Sequence, residues 1–308
     1  MSQTIDKGIV MNVFITGASG FIGMAIAAEL IQAGHHVTGL ARSEQTVQRL
    51  NRIGADAHRG ELKNLLSLTV GARAADAVIH CAYDHAFAHP QDTAIQEMQA
   101  IAALGKGLLD STRPLLITSV AAMGSRAPGQ LASEDFYGPS TQNPRKSTEI
   151  AAAQVADSGV NVSIIRLPQV HNEVKQGFVS ALIQLAREKG VSAYVEEGNN
   201  QWAAAHVADV ASLYRTVLEK ALPGQRYHAV AEQGISLRNI AEDIGAGLGV
   251  PVMQLTREEA SAHFGWLALF VTMDMRASAE LTRQRTGWQP SHPGLLQDLE
   301  RYFRLGLA

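Results

Sequence analysis

Short, largely apolar runs alternate with longer amphipathic ones along the first 170 residues. Val13-Phe14-Ile15, Ala77-Val78-Ile79, Leu115-Leu116-Ile117 and Val162 to Ile165 are too short for buried helices, and with His36 to Leu40 they predict strands near 12–16, 36–40, 77–82, 115–119 and 162–166. Between them, apolar positions at helical spacing predict helices near 21–33, 44–53, 92–110 and 146–158. Thr112-Arg113-Pro114 ends the third of these abruptly, because proline cannot continue a helix. Such alternation is the pattern of an α/β fold, a doubly wound parallel sheet covered by helices on both faces. Beyond Pro168 it loosens: a helix starting at His206 returns to the first domain, and Ser236 caps another over Leu237 to Ile244. The expected organisation is a domain over 1–170, rejoined by a segment near 205–222, and a small C-terminal α/β lobe over 171–308.

Thr16-Gly17-Ala18-Ser19-Gly20-Phe21-Ile22-Gly23 joins the first strand to the first helix. Glycine at 17 permits the tight turn, glycine at 20 lets the backbone approach a pyrophosphate, and glycine at 23 allows close packing of helix on strand. Ser19, Phe21 and Ile22 complete the turn, and the helix start offers N–H groups and the positive end of its dipole to phosphates. This spacing resembles the short-chain dehydrogenase/reductase superfamily, in its extended branch of epimerase/dehydratase-like proteins. The resemblance implies a Rossmann sheet, a nicotinamide cofactor and a C-terminal lobe closing over a small-molecule substrate.

In such folds the end of the second strand meets the adenosine ribose; this chain presents Arg42 and Ser43 there, a cation and a hydroxyl that suit the 2′-phosphate of NADP(H). The resemblance further places Glu61 and Leu62 beside the adenine, Cys81, Ala82 and Tyr83 under the cofactor, and Pro168 past the nicotinamide. Ser119 matches the serine that hydrogen-bonds the reacting oxygen. His80, among apolar neighbours, reads as a buried strand histidine. The superfamily's tyrosine and lysine, four residues apart, do not stand where the resemblance puts them: aligning Glu149 with the acid that follows places Asn143 and Ser147 there. Asparagine donates no proton as phenol does, and serine brings no charge. The proton then falls to other groups: His85, or Tyr137 with Arg145 or Lys146 as its cation, with His171 next. Trp202, His171 and His206 are expected around the substrate.

The net charge of -3 over 308 residues, with no basic run, argues against nucleic acid. The single cysteine, Cys81, excludes an internal disulfide and reads as a buried small residue. His85 and His89 stand four apart beside Asp84, but on a loop rather than a predicted helix, so no metal is expected. The polar start has no signal-peptide core, residues 1–10 read as a dispensable tail or upstream start, and cytoplasm follows as the default. No apolar stretch approaches the roughly twenty residues of a membrane span; His263 to Met273 reads as core, pocket wall or subunit contact. Extended members dimerise through paired helices, here near 92–110 and 146–158. Three functions stay open: an NADP(H)-dependent oxidoreductase of a small carbonyl or alcohol, a nucleotide-sugar epimerase or dehydratase, and a non-catalytic NADP-binding sensor.

Overall fold

The computed structural model describes residues 10–83, 90–138, 143 and 145–307. In chain order the elements are β1 (Asn12–Thr16), α1 (Phe21–Gln32), β2 (His36–Ala41), α2 (Glu44–Arg52), β3 (Asp56–Arg59), α3 (Leu65–Ala74), β4 (Ala77–His80), α4 (Pro90–Leu108), β5 (Pro114–Val120), α5 (Lys146–Asp157) and β6 (Asn161–Leu167). Then come β7 (Gln169–His171), α6 (Phe178–Lys189), β8 (Ser192–Val195), β9 (Gln201–His206), α7 (Val207–Lys220), β10 (Arg226–His228), β11 (Glu232–Ser236), α8 (Leu237–Leu248), β12 (Val252–Leu255), α9 (Arg257–Phe264), α10 (Ala268–Val271), α11 (Glu280–Thr286) and α12 (Leu295–Arg304).

Seven strands form one sheet in the order β10-β6-β5-β4-β1-β2-β3. From β3 through β2, β1 and β4 to β5 the pairing is parallel, and the order reverses between β1 and β4. This is the Rossmann order, whose ligands bind beyond the carboxyl ends of the strands at that reversal. β1 lies inside the sheet, so Val13, Phe14 and Ile15 are all buried, as a central parallel strand requires. β7, β9 and β11 make a second, mixed sheet, and β8 with β12 a parallel pair.

The chain forms two compact units. The first comprises Met1–Thr118, Pro144–Ile164 and Ala211–Gln225; the second comprises Ser119–Asn143, Ile165–Val210 and Arg226–Ala308. Each has its own apolar core: Phe14, Leu68, Ile101, Leu104, Leu115 and Val155 lie in that of the first, and Ile183, Trp202, Ile240, Leu267 and Leu295 in that of the second. The stretch His263 to Met273 divides by residue, with Phe264, Leu267 and Val271 buried and Trp266 and Leu269 exposed. No helix among the described residues is long and apolar enough to cross a membrane.

Candidate functional site

The glycine turn of the first unit is built for close approach. Gly17 has φ +74°, and a Cβ there would fall 2.7 Å from the Ala82 amide nitrogen, so the turn runs directly against the end of β4. A Cβ on Gly23 would meet the Gly17 carbonyl oxygen at 2.2 Å, which forces glycine where α1 packs on its own turn. Gly20 precedes α1 without a side-chain cap, and the first turn carries no acid. Ser19, Phe21 and Ile22 are half-buried around it. A side-chain-free cradle ending in uncapped N–H groups fits the diphosphate of a dinucleotide.

At the end of β2, Arg42 is exposed, and among the described residues no carboxylate pairs with it. Ser43 caps α2, its Oγ accepting the Thr46 N–H at 3.2 Å. Glu61 is exposed, while Leu62 packs partly buried on the first core.

A buried hydrogen-bonded chain crosses the carboxyl ends of β1, β4 and β5. The Ala82 N–H points at Thr16 Oγ1 (3.4 Å), Thr16 Oγ1 meets His80 Nδ1 (2.7 Å), and His80 Nε2 meets Glu97 Oε2 (3.2 Å). With the Thr16 hydroxyl donating to Nδ1, the His80 proton sits on Nε2 and points at Glu97. The other carboxylate oxygen accepts from Thr148 Oγ1 at 3.0 Å and lies 3.9 Å from the Arg145 guanidinium. Burial alone would push the Glu97 carboxyl up, but His80, Arg145 and the Thr148 hydroxyl together hold it below the usual carboxylate range. Arg145 also donates to the Thr118 carbonyl oxygen (2.7 Å) and lies over the Tyr83 ring, 3.7 Å from Cζ to centroid. Nearby, Thr118 Oγ1 bonds both Cys81 Sγ (3.2 Å) and the Tyr214 hydroxyl (2.6 Å). Burial pushes the Cys81 thiol up to about 11, so it stays protonated at neutral pH.

The second unit carries its own polar cluster. β7 and β9 are parallel neighbours that pair His171 with His206, their ring centroids 5.8 Å apart. His171 Nδ1 and Asp298 Oδ2 meet at 2.7 Å, both residues fully buried. Burial drives the His171 imidazole down to about 4 and outweighs the raising charges of Glu232 and Asp209. The neutral ring therefore donates from Nδ1 to the carboxylate. His206 Nδ1 accepts the Ala208 N–H at the start of α7, leaving its proton on Nε2, 3.8 Å from Asp298 Oδ2. His292 stacks on His206 with centroids 4.8 Å apart and contacts Asp209 through Nδ1 at 2.8 Å. Glu173, His206 and Asp298 also bring one ligand atom each to within 4.8 Å of one another, a juxtaposition that no local spacing announces. A cation on His206 Nε2 would have to displace the proton that helix capping places there. Trp202 is buried and packs edge-on against Phe178.

Comparison with known proteins now bears on this geometry. The NAD-dependent epimerase/dehydratase family matches residues 13–230, all of the Rossmann sheet but its first residue. The chain belongs to this family. Within and beyond it, an uncharacterized protein of Schizosaccharomyces pombe is 42% identical over 95% of this chain and 100% of its own length. A 2-alkyl-3-oxoalkanoate reductase of Stenotrophomonas maltophilia is 25% identical over 78% and 77% of the two chains. The fold is similar to that of a human epimerase family protein solved with NADPH, at TM-score 0.72 and 19% identity over 96% and 99% of the chains.

For a member of the epimerase/dehydratase family, the expected site residues divide between the units. Gly17, Ser19, Gly20, Phe21, Ile22, Gly23, Arg42, Ser43, Glu61, Leu62, Cys81, Ala82 and Tyr83 belong to the first; Ser119, Tyr137, Asn143, Pro168, His171, Trp202 and His206 belong to the second. His85 and His89 lie outside the described residues. Ser119 is buried in β5, and Asn143 is half-buried. Tyr137 has Arg226 over its ring at 4.7 Å, whereas Arg145, expected beside Tyr137, stands over Tyr83. Glu97, Glu173, Asp298 and His292 were not anticipated; each meets its partner only through the tertiary fold.

Proposed function

We propose that this chain is an NADP(H)-dependent oxidoreductase acting on a small carbonyl or alcohol substrate. The observation that carries the cofactor reading is the exposed guanidinium of Arg42, paired with no carboxylate among the described residues and standing directly before the capped start of α2. A 2′-phosphate bound there meets a planar fork of donors on one side and a helix N-terminus on the other. The bound nicotinamide supplies hydride; the glycine turn holds the diphosphate, Glu61 and Leu62 flank the adenine, and Ser119 with Asn143 hydrogen-bonds the reacting oxygen. The similarity to a reductase of 2-alkyl-3-oxoalkanoates supports a carbonyl substrate over a nucleotide sugar. Fluorescence titration with NADPH and NADH, repeated with Arg42→Ala, tests the reading. The expected result is NADPH affinity weakened about ten- to a hundredfold, the value of a charge-assisted hydrogen bond, with NADH little changed. Absence of binding by either nucleotide would sink it. Tight binding with no turnover across a carbonyl panel would favour a sensor.

A further inference from the structure

Arg145 is held as few surface arginines are. Its side chain is 13% exposed, its Nη2 is bound to the main chain at the carboxyl end of β5, and the ionised Glu97 stands 3.9 Å behind it. What this fixed charge faces is a phenol ring, since the Arg145 Cζ lies over Tyr83, 3.7 Å from its centroid. Tyr83 itself lies just past β4, one residue beyond the Ala82 backbone on which the glycine turn rests. That is the carboxyl edge of the sheet, beside the strand-order reversal where ligands of such folds bind. A positive charge within a few ångströms favours phenolate over phenol and makes the hydroxyl a stronger acid. Arginine suits this better than lysine, because it stacks on a ring face and stays charged at every working pH.

We propose that Tyr83 is the proton donor of this site and Arg145 its positioning cation, together filling the parts that Asn143 and Ser147 leave open; this rests on the oxidoreductase reading above. In the reductive direction the substrate's carbonyl carbon accepts the hydride that the bound nicotinamide supplies, and the carbon–oxygen π pair moves onto oxygen. The Tyr83 O–H bond breaks, its proton passes to that oxygen, and the electron pair stays on the phenolate beside Arg145 until water returns a proton. Alcohol oxidation runs the same steps in reverse.

Among the described residues around this corner, the position just before α5 contributes Arg145 and α4 contributes Glu97, whose charge tempers that of Arg145. Cys81 and Tyr214, held neutral by burial, add no charge. The test is a near-ultraviolet titration of the full-length protein, following phenolate absorbance in wild type minus Tyr83→Phe. The phenylalanine keeps a ring under the guanidinium, so that variant should fold, and circular dichroism checks it. The expected difference is one phenolate titrating about one to three units below the ordinary tyrosine value near 10, moved back upward by Arg145→Met and held down by Arg145→Lys. A midpoint at or above about 10, or one that Arg145→Met leaves in place, overturns the proposal. Should Arg145→Met not fold, the wild-type difference alone decides, because an unperturbed phenol is then the overturning result. Failure of NADPH binding would strike the cofactor reading and leave this titration interpretable.

Discussion

At the scale of single residues, Glu97 shows how a buried charge is made tolerable. A carboxylate removed from water is costly unless hydrogen bonds and opposite charge replace the solvent, and here His80, Thr148 and Arg145 do so. Replacing it with glutamine keeps an acceptor but removes the charge, and should cost about 1 to 3 kcal/mol at neutral pH by urea denaturation. The sign of its pH dependence follows from the depressed pKa. The stabilisation is present above the ordinary value of 4.5 and is lost as pH falls through the lower folded value, so wild type and Glu97→Gln should converge in acid. The sequence could not have shown this group. His80 to Glu97 spans 17 positions and Glu97 to Thr148 spans 51, and neither separation matches a helical or strand period. Gly17 was readable because everything it does, the left-handed φ and the approach to a strand end, is decided by its own lack of a Cβ.

At the scale of elements, α2 separates two roles of one hydroxyl. Ser43 caps the helix, and in the cofactor reading it also faces the 2′-phosphate. Ser43→Ala should therefore lower the melting temperature, at a cost of about 1 kcal/mol, and also weaken NADPH binding. Ser43→Asp should retain the cap and the melting temperature while reducing NADPH affinity at least about tenfold and sparing NADH, since the carboxylate repels only the extra phosphate. Equal losses for both nucleotides would remove Ser43 from the phosphate site. The elements legible in the sequence were those with strong local pattern: β1, β4 and β5 as apolar runs, β2 and β6 as mostly apolar ones, α1, α2, α4 and α5 between them, and α8 from its Ser236 cap. β3 escaped because Asp56-Ala57-His58-Arg59, at the sheet's edge, has no apolar run to read. β7 to β12 escaped because most are three to five residues long, too short for alternation to emerge.

At the scale of the whole molecule, two buried histidines shape acid stability. Burial lowers His171 to about 4 and His228 to about 3, so both are neutral when folded. The unfolded chain takes up their protons from about pH 6.5 downward. Stability should thus be level above that pH, fall below it by up to about 1.4 kcal/mol per unit per histidine, and flatten for these groups once the folded values are passed. Unfolding midpoints measured across this range check it. His171→Asn, which can keep a donor toward Asp298 without titrating, should make the acid limb shallower. A profile unchanged by that substitution would show that the ring is not desolvated as described.

The first unit is assembled from three separate stretches of chain, the last of them ending at Gln225. A ribosome working from the amino terminus has therefore made the glycine turn some two hundred residues before it delivers the helix that completes that unit. The nascent glycine turn must wait, tethered and unfinished, through most of synthesis. Cutting the gene after the sixth strand would yield no miniature cofactor binder, only a sheet still missing one of its covering helices.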